Sequence, residues 1–353
     1  MPSFRTGTVV AVLGQRRGLQ RLEVTLGDGD PAMAYALTDL TGPAAVGDQV
    51  VLNTTAVELG LGTGGWHVVH WNLARTELVS PGPGHIMKMR YTSLQADVGS
   101  VEELRGELLA EADEVDDMPV VVCGLHSQVA CVAVAVRHIW PEARIAYVMT
   151  DGAALPLALS DVVEELVRLE LVQVTLTAGQ AFGGDHEAVN VASALLAARR
   201  VEAADLTIVA MGPGVVGTAT RLGYSALEVG SILDTVAWLG GRPVAALRFS
   251  QADQRLRHQG VSHHSLTALS LATHERTAIG VPIGPWEMAV RADLERAGLT
   301  DRHQVISVET PDIGALLADV GLRITSMGRG PDVDPGFFAV AGAAGVCGVS
   351  LVR

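Results

Sequence analysis

From Pro119 onward the chain repeats one pattern, an apolar run of strand length, a polar glycine-rich loop and then a helix. PVVVCGLHSQ leads into VACVAVAVRHIW, ARIAYVMTDG into a helix from Ser160 to Leu169, and LVQVTLTAGQAFGGD into HEAVNVASALLAARR. LTIVAMGPG leads into a long helix ending at Gly240, and PVAALRFSQADQ into a helix starting near Ser262. HQVISVETPD and LRITSMGRG close the series, and the apolar helix FFAVAGAAGVCGV follows. Strands covered on both faces read as continuous apolar runs, and each parallel neighbour needs a crossover helix. The pattern therefore predicts an α/β domain with a Rossmann-like, doubly wound, mostly parallel sheet of six or seven strands. Such sheets bind ligands beyond the carboxyl ends of their strands.

The first ninety residues read differently. TGTVVAVL, QRLEVTL, AMAYAL, DQVVLNT and WHVVHW are short β segments separated by LGDGDPA, TGPAAVGD and ELGLGTGG, with no amphipathic helix among them. A small SH3-like or OB-like barrel fits, because closure removes exposed sheet edges. Pro81, Gly82, Pro83 and Gly84 then interrupt regular structure. The expected organisation is a β-barrel-like module with its linker over residues 1–90 and a Rossmann-like domain over 91–353.

Composition narrows the function classes. A formal charge of −14 with no dense Lys/Arg run opposes nucleic acid and anionic membrane surfaces as ligands. No apolar stretch reaches spanning length, and the N-terminal MPSFRTGTVV enters a strand pattern without an apolar leader, so a cytoplasmic location is expected. Cys123, Cys131 and Cys347 lie in apolar runs and read as buried thiols. The Ala- and Gly-rich helices allow close packing and point to a homodimer.

If the strands are parallel, the polar residues after them share one rim. His126 follows the first strand and Asp151 the second; Asp185, His186 and Glu187 follow the third and read as the capped, acidic start of a helix. After the fourth, Gly212, Gly214 and Gly217, with Thr218, match the spacing of a dinucleotide loop at the start of a helix. The acidic residue expected after the next strand is missing; Arg248 and Ser250 stand there and Asp253 comes late. In RFSQADQRLRHQGVSHHSLTAL, Arg255, Arg257 and His258 are suited to clamping an anion, and Ser262 to capping a helix. His263 and His264 are adjacent, and adjacent helical residues point apart, so one of them, joined by His126, His258 or Asp151, is the expected metal-ligand set. No zinc-type Cys or His spacing occurs. In the N-terminal part Glu58, Thr63 and His67 are further rim candidates, and His85, Lys88 and Arg90 form a basic cluster.

The blocks NTTAVELGLGTGG, GHIMKMRYT, MGPGVVGTATRLGYSALEVG and RHQGVSHHS resemble those of a bacterial family, found mainly in Gram-positive lineages, that is catalogued as a domain of unknown function. The resemblance covers essentially the whole chain and implies a cytoplasmic bacterial protein. It brings no activity, cofactor or catalytic residue with it. The residues themselves suggest an enzyme acting on a small anionic substrate, phosphorylated or nucleotide-like. His126, Asp151, His258 and His263 are then the catalytic candidates, and Gly212, Gly214, Gly217, Thr218, Asp253, Arg255, Arg257, Ser262 and His264 the binding candidates. A divalent metal or a nucleotide is the candidate cofactor. The alternative is a non-catalytic metabolite-binding or scaffold protein.

Overall fold

The computed structural model describes every residue except Thr63, so that rim candidate lies outside the described residues. The chain divides into two units, Met1–Val98 and Gly99–Arg353.

In the first unit, β1 (Phe4–Arg16), β2 (Leu19–Leu26), β3 (Pro31–Ala36), β4 (Gln49–Asn53) and β5 (Trp66–Asn72) close into a barrel in the order β1-β2-β3-β5-β4. The length of β1 makes closure possible. Its first residues, Phe4 to Thr8, pair with β4, and from Gly7 onward it pairs with β2. Register shifts after Val9 and Val12 bend it between the two partners. Val9, Leu22, Val24, Val50, Leu52 and Val69 fill the interior. Each strand corresponds to one of the five β segments read from the sequence.

The main sheet of the second unit holds eight strands: β6 (Pro119–Cys123), β7 (Ile145–Thr150), β8 (Val174–Ala178), β9 (His186–Ala188), β10 (Leu206–Met211), β11 (Arg242–Ala246), β12 (Ala278–Pro282) and β13 (Gln304–Val308). They form one sheet in the order β9-β8-β7-β10-β6-β11-β12-β13, and every pairing is parallel. Side chains alternate between its faces: Val121 and Cys123 pack on one side, Val120 and Val122 on the other. The first face carries α1 (Gln128–Ile139), α2 (Asp161–Arg168), α7 (Ile313–Asp319) and α8 (Pro335–Ser350); the second carries α3 (Val191–Arg200), α4 (Glu228–Trp238), α5 (His263–Thr267) and α6 (Glu287–Arg296). Moves in one direction along the sheet use the first face and moves back use the second, as right-handed crossovers require. The sheet is thus wound on both faces, and β6 lies between two strands, β10 and β11, whose following helices pack on the face opposite to that of its own.

Three local expectations are corrected. Asp185, His186 and Glu187 do not begin a helix. Residues His186–Ala188 form the edge strand β9; Thr175 donates to Asp185 and Thr177 to Glu187, while Asn190 caps α3 in a capping box with Ser193. Leu322 and Ile324 are buried in the core, but the segment LRITSMGRG forms no strand; its only pairing is a Ser326–Arg329 bridge. Strand β12, AIGVP, had no expectation; together with the edge strand β9 it brings the sheet to eight strands rather than six or seven.

Helix α8 is apolar on every side and buried along nearly its whole length, packing on α1, β11 and β12. Its 16 residues rise only about 24 Å. Among the described residues no helix is long and apolar enough to cross a membrane. The helix approaches the sheet closely because Gly280 in β12 has no side chain: a Cβ there would stand 2.3 Å from the Ala343 carbonyl oxygen and 2.7 Å from Cys347 Cβ. Gly280→Ala is therefore expected to destabilise the protein by about 1–3 kcal/mol through overpacking. Urea unfolding measures this, and an unchanged midpoint would show that α8 is less firmly seated.

Candidate functional site

The strand order places the loops after β6, β10 and β11 side by side. After β11 the chain makes an antiparallel two-residue ribbon, Phe249–Ser250 against Gly260–Val261, which encloses an excursion over residues 251–259. The excursion is built around a turn in which the Ser250 hydroxyl accepts from the backbone N–H groups of Ala252 (3.2 Å) and Asp253 (3.0 Å). The same hydroxyl donates to Asp334 at 2.5 Å.

Asp253 is buried and stands among three guanidiniums. It accepts from Arg248 at 3.2 Å, from Arg329 at 3.2 Å, and from Arg255 through both Nε (3.0 Å) and an Nη (2.9 Å). Arg329 also donates to Asp334 at 3.2 Å. The Arg255 hydrogen bonds hold the Asp253 carboxyl far below the ordinary carboxylate range, against the opposing effect of burial. Burial pushes Arg248 down to about 10, and Arg255 adds to that effect. The expected anion clamp thus differs from its sequence form. Arg255 is engaged by Asp253, whereas Arg257 is exposed and donates from Nε to His258 Nε2 at 3.3 Å.

Behind this network the three histidines converge. His258 lies near the end of the excursion, Ser262 caps α5 by accepting the His264 N–H, and His263 and His264 are the first two residues of α5. Ring centroids are 5.1 Å apart for His258 and His263, 4.9 Å for His258 and His264, and 4.3 Å for His263 and His264. One ring nitrogen from each lies within 4.8 Å of the other two. The sequence reading placed one of the two adjacent histidines with His126, His258 or Asp151; the structure brings both beside His258. The helix has only five residues, and His258 returns beside its first turn to meet both rings. Burial lowers the proton affinity of all three, taking His258 to about 4 and His264 to about 3, with Arg248 among the further causes. They are neutral lone-pair donors at pH 7.

The glycine loop touches this cluster through Tyr224. Its ring stacks on His264 at 4.0 Å and 4°, and its hydroxyl donates to the His264 carbonyl at 2.9 Å. A Cβ on Gly217 would stand 3.6 Å from the His264 ring. The dinucleotide context is absent, however. Helix α4 begins only at Glu228, and Thr218 to Gly223 close a turn of their own, with the Thr218 N–H on the Gly223 carbonyl at 2.8 Å. Gly212 serves packing, since a Cβ there would meet the Ala154 carbonyl at 2.5 Å. Gly214 has φ +97° and open space around it.

His126 and Asp151 lie outside the histidine cluster. His126 is buried, donates from Nδ1 to the Met211 carbonyl at 3.1 Å and accepts from Ser160 Oγ at 2.6 Å; burial lowers it to about 4. Asp151 is exposed and accepts from the Gln180 N–H at 2.9 Å. The three cysteines are buried free thiols whose pKa values burial raises, Cys347 to about 12, which suits core packing. Sequence reading missed Tyr224, Arg329, Asp334 and Glu228. Glu228 accepts from Thr150 at 2.6 Å and is raised by burial. A small apolar pocket lies beside the cluster, lined by Gly124, Ala226, Val229, Arg248, His264 and Ala268. In the barrel, Glu58 accepts from Thr54 and Ser3, and His67 is buried.

Residues 32–345 match the family model described as "Protein of unknown function (DUF3866)". The chain belongs to this family. No curated protein and no solved structure gives a significant match to it. The DUF3866 match covers all of the rim described above, including the Asp253 network and the three histidines.

Asp253→Asn should cost about 3–5 kcal/mol, because it leaves the buried Arg248 without its charge partner, while the partly exposed Arg329 keeps Asp334. Arg255, exposed at 42%, contributes less owing to solvent screening. Because the folded carboxyl is depressed, its stabilisation is complete above the unfolded value near pH 4 and is lost as the pH falls further. Urea unfolding at pH 7 and at pH 3 should therefore show a smaller difference between wild type and variant at pH 3. A pH-independent difference would contradict the assignment.

Proposed function

We propose that this chain is an enzyme acting on a small anionic substrate, phosphorylated or nucleotide-like, bound on the rim after β10 and β11. The observation that carries this reading is the local charge balance. Among the described residues, Arg248, Arg255 and Arg329 share the two carboxylates Asp253 and Asp334, and Arg257 adds a fourth guanidinium whose Nε contacts the neutral His258 ring. This local excess of positive charge belongs to a chain of formal charge −14. An anion at the exposed end of Arg257 completes the balance and gains charge-assisted hydrogen bonds.

A small apolar surface beside His264 borders the proposed anion site, the usual pairing of apolar lining with a few polar groups. Three neutral imidazoles then present lone pairs next to the bound anion. Supporting the enzyme reading over a scaffold is the burial of these unprotonated rings where the crossovers change face, since perturbed titratable groups gather where chemistry is done. A cytoplasmic setting and a homodimer belong to the same proposal and rest on the sequence alone.

Arg257→Ala tests the anion site without touching the core, because the side chain is exposed. Orthophosphate, pyrophosphate and a panel of nucleoside phosphates should raise the wild-type melting temperature. The variant should bind the most effective of them at least about tenfold more weakly, the loss of roughly one charge-assisted hydrogen bond. Equal stabilisation of both proteins by every anion would refute the site, as would no stabilisation of either.

A further inference from the structure

We propose that His258, His263 and His264 bind one divalent transition-metal ion of the zinc class and leave a coordination position open. The site itself stands on the histidine geometry. The role of its open position, to receive an oxygen of the substrate, rests on the anionic-substrate reading.

The geometry is close to what such an ion needs. If three nitrogens lie within 4.8 Å of one another, a point between them is at most about 2.8 Å from each, against about 2.1 Å for a zinc–nitrogen bond. Small ring rotations close that gap. Three imidazole ligands with a fourth position free is the arrangement of catalytic rather than structural zinc sites.

Two further observations point to a ligand. His264 is more than nine-tenths buried, and its Nδ1 has no hydrogen-bond partner among the described residues; the same holds for the buried Nε2 of His263. Leaving buried polar nitrogens unpaired is costly, and a metal bond satisfies one on each ring that ligates. His258 is already oriented by a neighbour. An arginine N–H can only donate, so His258 Nε2 accepts from Arg257, and the neutral ring's proton is on Nδ1, donated to Ser262 Oγ at 2.7 Å. A metal-ligating histidine commonly has its second nitrogen fixed in this way. The Arg257 contact, long at 3.3 Å, yields when Nε2 turns to the metal. Arg248 and Arg257 repel a bare cation here, and an anion bound between guanidinium and metal offsets that repulsion.

The test uses the full-length chain without an affinity tag, stripped with chelator and titrated with Co2+ as a spectroscopic probe. Expected are one Co2+ per chain and visible d–d bands of tetrahedral intensity. His263→Ala, at the least buried of the three, and His264→Gln should both abolish the bands while circular dichroism shows a folded protein. Ser262→Ala should weaken binding by about 10–100-fold, as loss of an outer-sphere partner does. Absence of the bands in folded wild type overturns the proposal, and so do bands that persist in both histidine variants. Orthophosphate stabilisation of the chelator-treated protein separates the two readings. If it persists without any Co2+ site, only the metal proposal falls. If Co2+ binds as described and no anion binds, the metal site stands and the anionic-substrate reading falls.

Discussion

One buried carboxylate holds the functional rim together. Asp253 accepts from guanidiniums on three segments: Arg248 at the end of the central sheet, Arg255 on the excursion, and Arg329 on the loop that precedes α8. Through Arg329 and Asp334 the same network reaches the N-terminus of α8, the most deeply buried helix of the fold. The excursion that carries His258 is thereby fixed to the core on one side and to the sheet on the other. A loop that brings His258 against the two histidines of α5 needs such anchoring, because buried polar rings are tolerated only where the surrounding structure holds them in place.

The position of that anchor follows from topology. The first strand of the parallel sheet, β6, has β10 on one side and β11 on the other, and the helices after β6 and β10 pack on opposite faces. A crevice opens wherever neighbouring crossovers leave in opposite directions. Here the glycine loop enters it from β10 and the histidine segment from β11, and Tyr224 joins them by stacking on His264. The glycines act in this arrangement by allowing close approach: Gly212 admits the Ala154 carbonyl, and Gly217 lies against the histidine ring.

Much of this was legible in the sequence, and the exceptions have physical causes. Continuous apolar runs such as PVVVC and LTIVAM announce buried parallel strands, and Ser262 was readable as a cap because its hydroxyl precedes a helical run. AIGVP escaped notice because glycine and proline weaken a strand signal, although Pro282 sits at the strand's end. LRIT looked like a strand because Leu322 and Ile324 alternate with polar residues. They alternate to reach the core from an irregular segment. His186 and Glu187 read as a helix start because edge strands as short as β9 leave little periodicity. Convergence of the histidines was invisible for another reason. Neighbouring positions on a regular helix diverge by about 100°, and only the returning excursion brings His258 to both rings. Nor does local sequence pair Asp253 with Arg329, which lies 76 residues away.

The electrostatics of the rim and of the whole molecule act over different distances. Exposed charges separated by more than about 8–10 Å are largely screened at physiological ionic strength, so the formal charge of −14 governs approach more than contact. An acidic surface repels anions at long range, and the four clustered guanidiniums attract them only once they are close. The anion binding proposed for this rim would therefore select by contact and shape rather than by steering. On the proposed reading it favours ligands that match the fork of Arg257. The unprotonated histidines complete the selection. Protonated imidazoles beside four guanidiniums would make this corner a general anion sink, whereas neutral ones keep their lone pairs for a specific partner. Burial at His258 and His264, with Arg248 nearby, is what enforces the neutral form.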